Sequence, residues 1–265
     1  MAKTSILPPG RLLQIRECTM GLDLMHYVAA SASPFSDRFI GRRAYNAFRR
    51  PVNKRTALLV PGFGGGPRSL FALKQTAEDA GYQAFDWGLG TNNGDVRHFL
   101  PLVQQRLVEL AERSGEPVTL IGWSLGGYIS REVARDLPQH VRQVITLGTP
   151  VVGGPRYTIV AKFYERQGHD LEKTEAEIKA RYDDPIQVPV KAIYSKRDGV
   201  VSWEACIDHW TPDIEHIEVR QAHLGLGFSP SVNRIVSRLL TAADKLSEVS
   251  EPKNSSAMSN VVSGG

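Results

Sequence analysis

Cysteine is scarce in this chain of 265 residues, which has two, Cys18 and Cys206. Two cysteines cannot build the multiply bridged framework that staples small secreted domains. Their wide separation neither requires nor forbids one bridge, and two buried free thiols are the simpler expectation. Long apolar runs are also lacking. No stretch approaches the roughly 20 apolar residues that a membrane span needs. The opening, MAKTSILPPGRLLQIRECTM, holds no continuous apolar core of signal-peptide length, because Pro8, Pro9 and Arg11 interrupt it. The expectation is a soluble, cytoplasmic protein. Nor is charge of one sign in large excess: the formal net charge is +4, too modest to imply a nucleic-acid partner.

What positive charge there is gathers in one place. Arg42, Arg43, Arg49, Arg50, Lys54 and Arg55 interleave with Phe39, Ile40, Tyr45 and Phe48. Such a segment, over 38–55, is either a basic amphipathic helix in peripheral contact with an anionic membrane or acidic partner, or a solvated helix packed through its aromatic side.

The length fits one large α/β domain with a small insertion. Residues 1–50 read as an N-terminal helical extension, broken after Ala30 by Ser31, Ser33 and Pro34. From Thr56 strands and helices alternate. TALLV (Thr56 to Val60) is a buried strand, Arg68 to Ala80 a helix closed by Gly81, and Tyr82 to Trp87 a strand. After the turn-rich GLGTNNGD, Val96 to Arg113 carries Phe99, Leu102, Val103, Leu107 and Leu110 on one helical face. Val141 to Leu147 is the next strand. This rhythm predicts a mostly parallel central sheet flanked by helices. It pauses over 151–187, either a small cap or one crossover helix with a long loop, and resumes with strands at Val190 to Tyr194 and Ile214 to Val219 and a helix at Pro230 to Leu240. The domain is expected over 51–246. Residues 247–265 lack apolar periodicity and read as a disordered tail.

The stretch Pro117 to Tyr128, PVTLIGWSLGGY, organises the rest. A short apolar run meets a serine with glycine two residues to either side, and helix-compatible residues follow. Such an elbow reverses the chain so sharply that its apex sits at strained backbone angles, and side chains at Gly122 and Gly126 would collide with the flanking strand and helix. Ser124 is the apex and the candidate nucleophile.

A serine hydroxyl needs a base to take its proton, and the base needs an acid to hold its tautomer. After an elbow of this kind the acid and then the histidine follow in chain order. Asp198 lies just past KAIYS and His223 just past IEHIEV, both on expected loops at strand ends. Asp208 and Asp213 are the rival acids. His98, His140, His169, His209 and His216 fit surface or core positions better. Backbone amides that receive the developing oxyanion lower the barrier by about 3 kcal/mol each. Leu125, at the start of the elbow helix, would supply one. The glycine cluster PGFGGG would supply the other through Phe63, with Gly64 as the alternative. No lysine followed by serine or threonine closes that cluster, so it is not a phosphate loop.

In LLVPGFGGG, DWGLGTNNG, LIGWSLGGY, VITLGTPVVGG, IYSKRDGVV and AHLGLG, between about Thr56 and Leu240, the chain resembles the α/β-hydrolase superfamily, and within it the bacterial lipase and esterase-like branch. The resemblance implies the α/β-hydrolase fold, a Ser124–Asp198–His223 triad, an oxyanion hole from Phe63 and Leu125, and cleavage of carboxylic esters in small molecules or lipids. There are departures. Pro61 and Gly62 stand where many lipases carry His-Gly, and Leu224 follows the histidine where relatives often have cysteine. Trp87, Trp123, Val151 and Leu224, beside these groups in sequence, would line an apolar acyl pocket or sit in the core. No metal or other cofactor is implied, since the histidines and cysteines show no ligand spacing. The other functions open to this pattern are acyl transfer by the same triad and a non-catalytic hydrolase-fold binding protein.

Overall fold

A computed structural model of the chain describes residues 6–17 and 55–250. Cys18, the basic segment apart from Arg55, most of the N-terminal extension and residues 251–265 lie outside the described residues.

A short helix, α1, covers residues 11–17. Then come β1 (Thr56–Val60), α2 (Phe71–Asp79), β2 (Gln83–Asp86), α3 (Val96–Ser114), β3 (Val118–Trp123), α4 (Leu125–Asp136) and β4 (Val141–Leu147). Two short helices follow, α5 (Ala161–Arg166) and α6 (Leu171–Ala180). The chain closes with β5 (Val190–Ser195), β6 (Ile214–Val219), α7 (His223–Phe228) and α8 (Pro230–Ser250).

The strands form one sheet in the order β2-β1-β3-β4-β5-β6, with every neighbouring pair parallel. Parallel strands covered on both faces read as continuous apolar runs. TALLV is such a run, and all its residues are buried. Alternate side chains then serve opposite layers. Leu58, Val60, Leu120 and Val144 cluster with Val103 and Leu107 of α3 and Ile129 and Val133 of α4. Ala57, Leu59, Ile121 and Ile145 cluster on the other face with Leu73 of α2 and Val232, Val236 and Leu240 of α8. This is the α/β-hydrolase fold, with the sheet's central strands β1, β3 and β4 delivering their carboxyl ends to one edge.

For Trp87 and Val151, pocket or core on the sequence alone, the structure gives the core. Trp87 is a core residue and not part of a pocket: its ring centroid lies 4.7 Å from that of Phe99, and its Nε1 donates to the Gly90 carbonyl at 3.0 Å. The chain leaving β2 turns the indole toward α3, away from the sheet edge where Ser124 sits. Val151 is likewise buried, its N–H donating to the Ala205 carbonyl at 2.7 Å, and it does not line the cavity beside Ser124. The final helix runs on to Ser250, past the expected start of the tail at 247.

Between β4 and β5 lies the segment read from sequence as a small cap or as one crossover helix with a long loop. It forms α5 and α6, whose residues wall the cavity next to Ser124. Among the described residues no helix is long and apolar enough to cross a membrane.

Candidate active site

β3 and α4 meet at Ser124, whose backbone sits at φ 54° and ψ −122°. It is the one residue other than glycine at positive φ among those described. The strain holds because the surroundings admit no alternative. A methyl group on Gly122 would meet the Gly127 backbone, and one on Gly126 would meet the carbonyls of Val60 and Pro61. The Ser124 N–H donates to the Leu147 carbonyl at 2.8 Å, and its own carbonyl accepts from Thr149 Oγ1 at 3.0 Å. The elbow is thereby tied to the end of β4.

Asp198 lies on the loop after β5 and His223 opens α7, one residue beyond the expected loop. The two are buried together, with His223 Nδ1 2.6 Å from Asp198 Oδ2. Burial acts to lower the imidazole's pKa, but the Asp198 charge and hydrogen bond, joined by the charge of Glu17, outweigh it and hold the group above its ordinary value. Ser124 and His223 line the same cavity. No hydrogen bond joins their side chains among the described contacts; such contacts commonly close only around a bound substrate.

The rivals are occupied elsewhere. Asp208 pairs with the buried Arg131 and accepts from Thr211 Oγ1 at 2.6 Å. Asp213 is exposed. His216 Nε2 accepts from the Asp208 N–H at 3.0 Å, and His98 and His209 face solvent. His169 lines the cavity with its ring tilted against that of Tyr164, and His140 closes a short turn before β4.

The glycine loop after β1 lies against the elbow, so close that a methyl group on Gly62 would stand 3.2 Å from Ser124 Cβ. The Gly64 N–H donates to the Asn92 carbonyl at 2.7 Å and is therefore engaged. The N–H groups of Phe63 and Leu125 have no partner among the described hydrogen bonds, and both residues line the cavity.

That cavity has a volume of about 870 Å³. Trp123, Leu224 and Phe228 line it on the side of His223, and Ile159, Val160 and Tyr164 on the side of α5. Phe63 packs against the rings of Phe163 and Tyr164, with centroids at 5.3 and 5.6 Å. Trp123 and Leu224 thus reach the pocket where Trp87 and Val151 do not. Among the described residues no group of three or more His, Cys, Asp or Glu side chains is placed to hold a metal ion.

A model of the alpha/beta hydrolase family matches residues 57–252. The chain belongs to that family. No curated protein matches it by sequence. Solved structures of the family resemble it in fold at low identity. The mature lipase BlEst2 of Bacillus licheniformis superposes with a TM-score of 0.57 at 18% identity, covering 72% of this chain and 94% of the lipase. A structure from work on the metagenome-derived lipolytic enzymes LipS and LipT gives 0.58 at 16% identity, covering 73% and 95%. A monoacylglycerol lipase from Paleococcus ferrophilus gives 0.52 at 16% identity, covering 71% and 94%.

Two residues at the site of this family member escape a motif-based reading. Asn92 is fully buried: its Nδ2 donates to the Pro61 carbonyl at 2.8 Å, its N–H to the Gly65 carbonyl at 2.8 Å, and its Oδ1 accepts from Gly94 N–H at 3.1 Å. It fixes the glycine loop from both sides. Glu17, on α1, is buried against the backbone of Gly199, His223 and Leu224. The asparagine could have been suspected from the GTNNGD block; nothing in the sequence around Glu17 marks it.

Proposed function

We propose that this chain is a serine hydrolase that cleaves carboxylic esters through an acyl-enzyme. The observation that carries the reading is the buried His223–Asp198 pair, 2.6 Å apart, on a cavity shared with a serine held at positive φ. Ser124 Oγ attacks the ester carbonyl while His223 Nε2 takes its proton. Asp198 holds the tautomer with hydrogen on Nδ1 and stabilises the imidazolium. The amides of Phe63 and Leu125 receive the oxyanion, each contributing about 3 kcal/mol. His223 returns the proton to the departing alcohol. A water molecule gives its proton to the same imidazole as it attacks the acyl carbon; the imidazolium then passes that proton to Ser124 Oγ as the acyl–oxygen bond breaks, releasing the acid and the free serine.

The mainly apolar wall built by Trp123, Leu125, Ile159, Val160 and Leu224 suits an apolar acyl group, and a volume of about 870 Å³ accommodates more than an acetyl. The test is an acyl-length series of nitrophenyl esters alongside labelling by a fluorophosphonate. The wild type should be labelled and should turn over medium acyl chains faster than acetate. Ser124→Ala should lose labelling and at least about 10⁴-fold in kcat while folding normally. Wild-type turnover in that variant would refute the mechanism.

A further inference from the structure

Glu17 comes from a segment far outside the sheet, yet its carboxylate lies at the two loops that carry the Asp–His pair. Oε1 accepts from the Gly199 N–H at 2.9 Å and from the His223 N–H at 2.5 Å, and Oε2 accepts from the Leu224 N–H at 3.1 Å. Gly199 is the residue after Asp198. One side chain therefore bonds the backbone next to the acid and the backbone of the histidine itself. A carboxylate is withdrawn from water only where donors compensate it, and three N–H groups do so here. The approach of α1 is close enough to demand glycine opposite: a methyl group on Gly199 would strike the Leu13 carbonyl and stand 2.8 Å from Glu17 Cγ.

We infer that Glu17 is a positioning residue of the reaction, clamping the acid loop to the turn that bears the histidine from a helix at the start of the chain. The inference rests on the serine-hydrolase reading above. The clamp acts in two ways. It fixes the separation of the two loops, so that the imidazole keeps its place relative to both Asp198 and the Ser124 hydroxyl; small misplacements of such groups cost rate steeply. It also sets a second negative charge by the imidazole. Among the described residues Asp198 and Glu17 are the two charged groups acting on His223, and both favour the imidazolium that forms as the serine proton moves. α1 is thus part of the active site and not an appendage to it.

The two actions separate by substitution. Glu17→Gln removes the charge and turns an amide NH₂ toward one of the three donors. Glu17→Asp keeps the charge but is one methylene too short to span both loops. Initial rates on a medium-chain nitrophenyl ester, taken from pH 5 to 9 with the full chain, give kcat, KM and the midpoint of the acid limb. Both variants should lose about 10- to 100-fold in kcat with KM changed less than about threefold. In Glu17→Gln the acid limb should also move to lower pH, because a charge that favours imidazolium is gone; in Glu17→Asp it should stay nearer the wild-type value. Gly199→Ala, which pushes α1 away without altering Glu17, should reproduce the kcat loss and replaces Glu17→Gln if that variant shows no cooperative melt. Ester turnover in Ser124→Ala would overturn the serine-hydrolase reading whatever Glu17 does. An inactive Ser124→Ala beside folded Glu17 and Gly199 variants with wild-type kcat and acid limb would overturn the clamp alone.

Discussion

His223 Nδ1 lies 2.6 Å from Asp198 Oδ2, while the other oxygen of the same carboxylate accepts from the Val200 and Val201 N–H groups at 2.8 and 2.7 Å. Two main-chain donors on Oδ1 hold the carboxylate's orientation, and among the described residues Oδ2 has the imidazole as its hydrogen-bond partner. Asp198→Asn should keep Oδ1 in its place as the amide oxygen and turn an NH₂ toward Nδ1. That selects the imidazole tautomer with hydrogen on Nε2, which cannot accept the serine proton. A fall in kcat of about 10⁴ with a near-normal melting temperature is expected, measured on a chromogenic ester. A loss of less than tenfold would remove Asp198 from the mechanism.

The charge state of His223 gives a pH profile of predictable sign. Burial lowers its pKa, and the charges of Asp198 and Glu17 together with the Asp198 hydrogen bond raise it further than burial depresses it. Under the proposed mechanism the imidazole acts when neutral, so kcat/KM should fall as pH drops through a midpoint above the ordinary imidazole value of about 6.5. Stability carries the opposite slope. A raised folded-state pKa contributes stability that is fully present below the unfolded-state value of about 6.5 and is lost as pH rises through the folded-state value. Comparing melting temperatures of the wild type and His223→Gln from pH 5 to 9 should show the wild type's advantage shrinking toward the alkaline end. An advantage that grew with pH would contradict the assignment.

How much of this was open to a reader of the sequence varies residue by residue, for physical reasons. Ser124, Gly122 and Gly126 were legible because the elbow is a local constraint: the chain either has room at those positions or cannot turn. Asp198 and His223 were legible one step less directly, as polar residues where a parallel sheet releases its strands. For Trp87 and Val151 the choice between pocket and core stayed open, because nearness in sequence to a strand end does not fix which layer a side chain enters. Trp87 turns under α3 and Val151 is tied to Ala205. Asn92 and Glu17 act through backbone amides and carbonyls supplied by other parts of the chain. Glu17 and His223 stand 206 residues apart. No periodicity or spacing within either segment encodes such a contact.

Asn92 makes the glycine loop a testable element. Its side chain joins the Pro61 carbonyl, one residue ahead of Gly62, to the turn at Gly94. Asn92→Ala should strand the buried Pro61 carbonyl and cost about 1–3 kcal/mol in stability by denaturant melts. The loop that presents the Phe63 N–H would also lose its outer support. Because one oxyanion donor is worth about 10²–10³ in rate, kcat should fall by part of that range while KM changes little. Loss of stability with an unaltered kcat would show that the loop holds its geometry without the asparagine.

Asp208 offers the sharpest contrast with Asp198. Both are buried carboxylates between β5 and β6, but Asp208 faces Arg131 of α4 and accepts from the N–H groups of Trp210 and Thr211 at 2.8 and 3.1 Å. Burial raises its pKa, but Arg131, Thr211 and these amides prevail and hold it at about 2. A depressed folded-state pKa contributes stability above the ordinary carboxylate value of about 3.9 and loses it as pH falls toward the folded-state value. Asp208→Asn leaves the Arg131 guanidinium buried without its counter-charge, which costs about 3–5 kcal/mol. The gap in melting temperature between wild type and variant should be wide at pH 7 and close as pH falls from about 4 toward 2. At low temperature, where the variant is folded, its kcat should stay within about twofold of wild type, since none of its contacts reach Ser124 or His223. The reverse pattern, a normal melt with kcat down a thousandfold, would transfer the acid's role from Asp198 to Asp208.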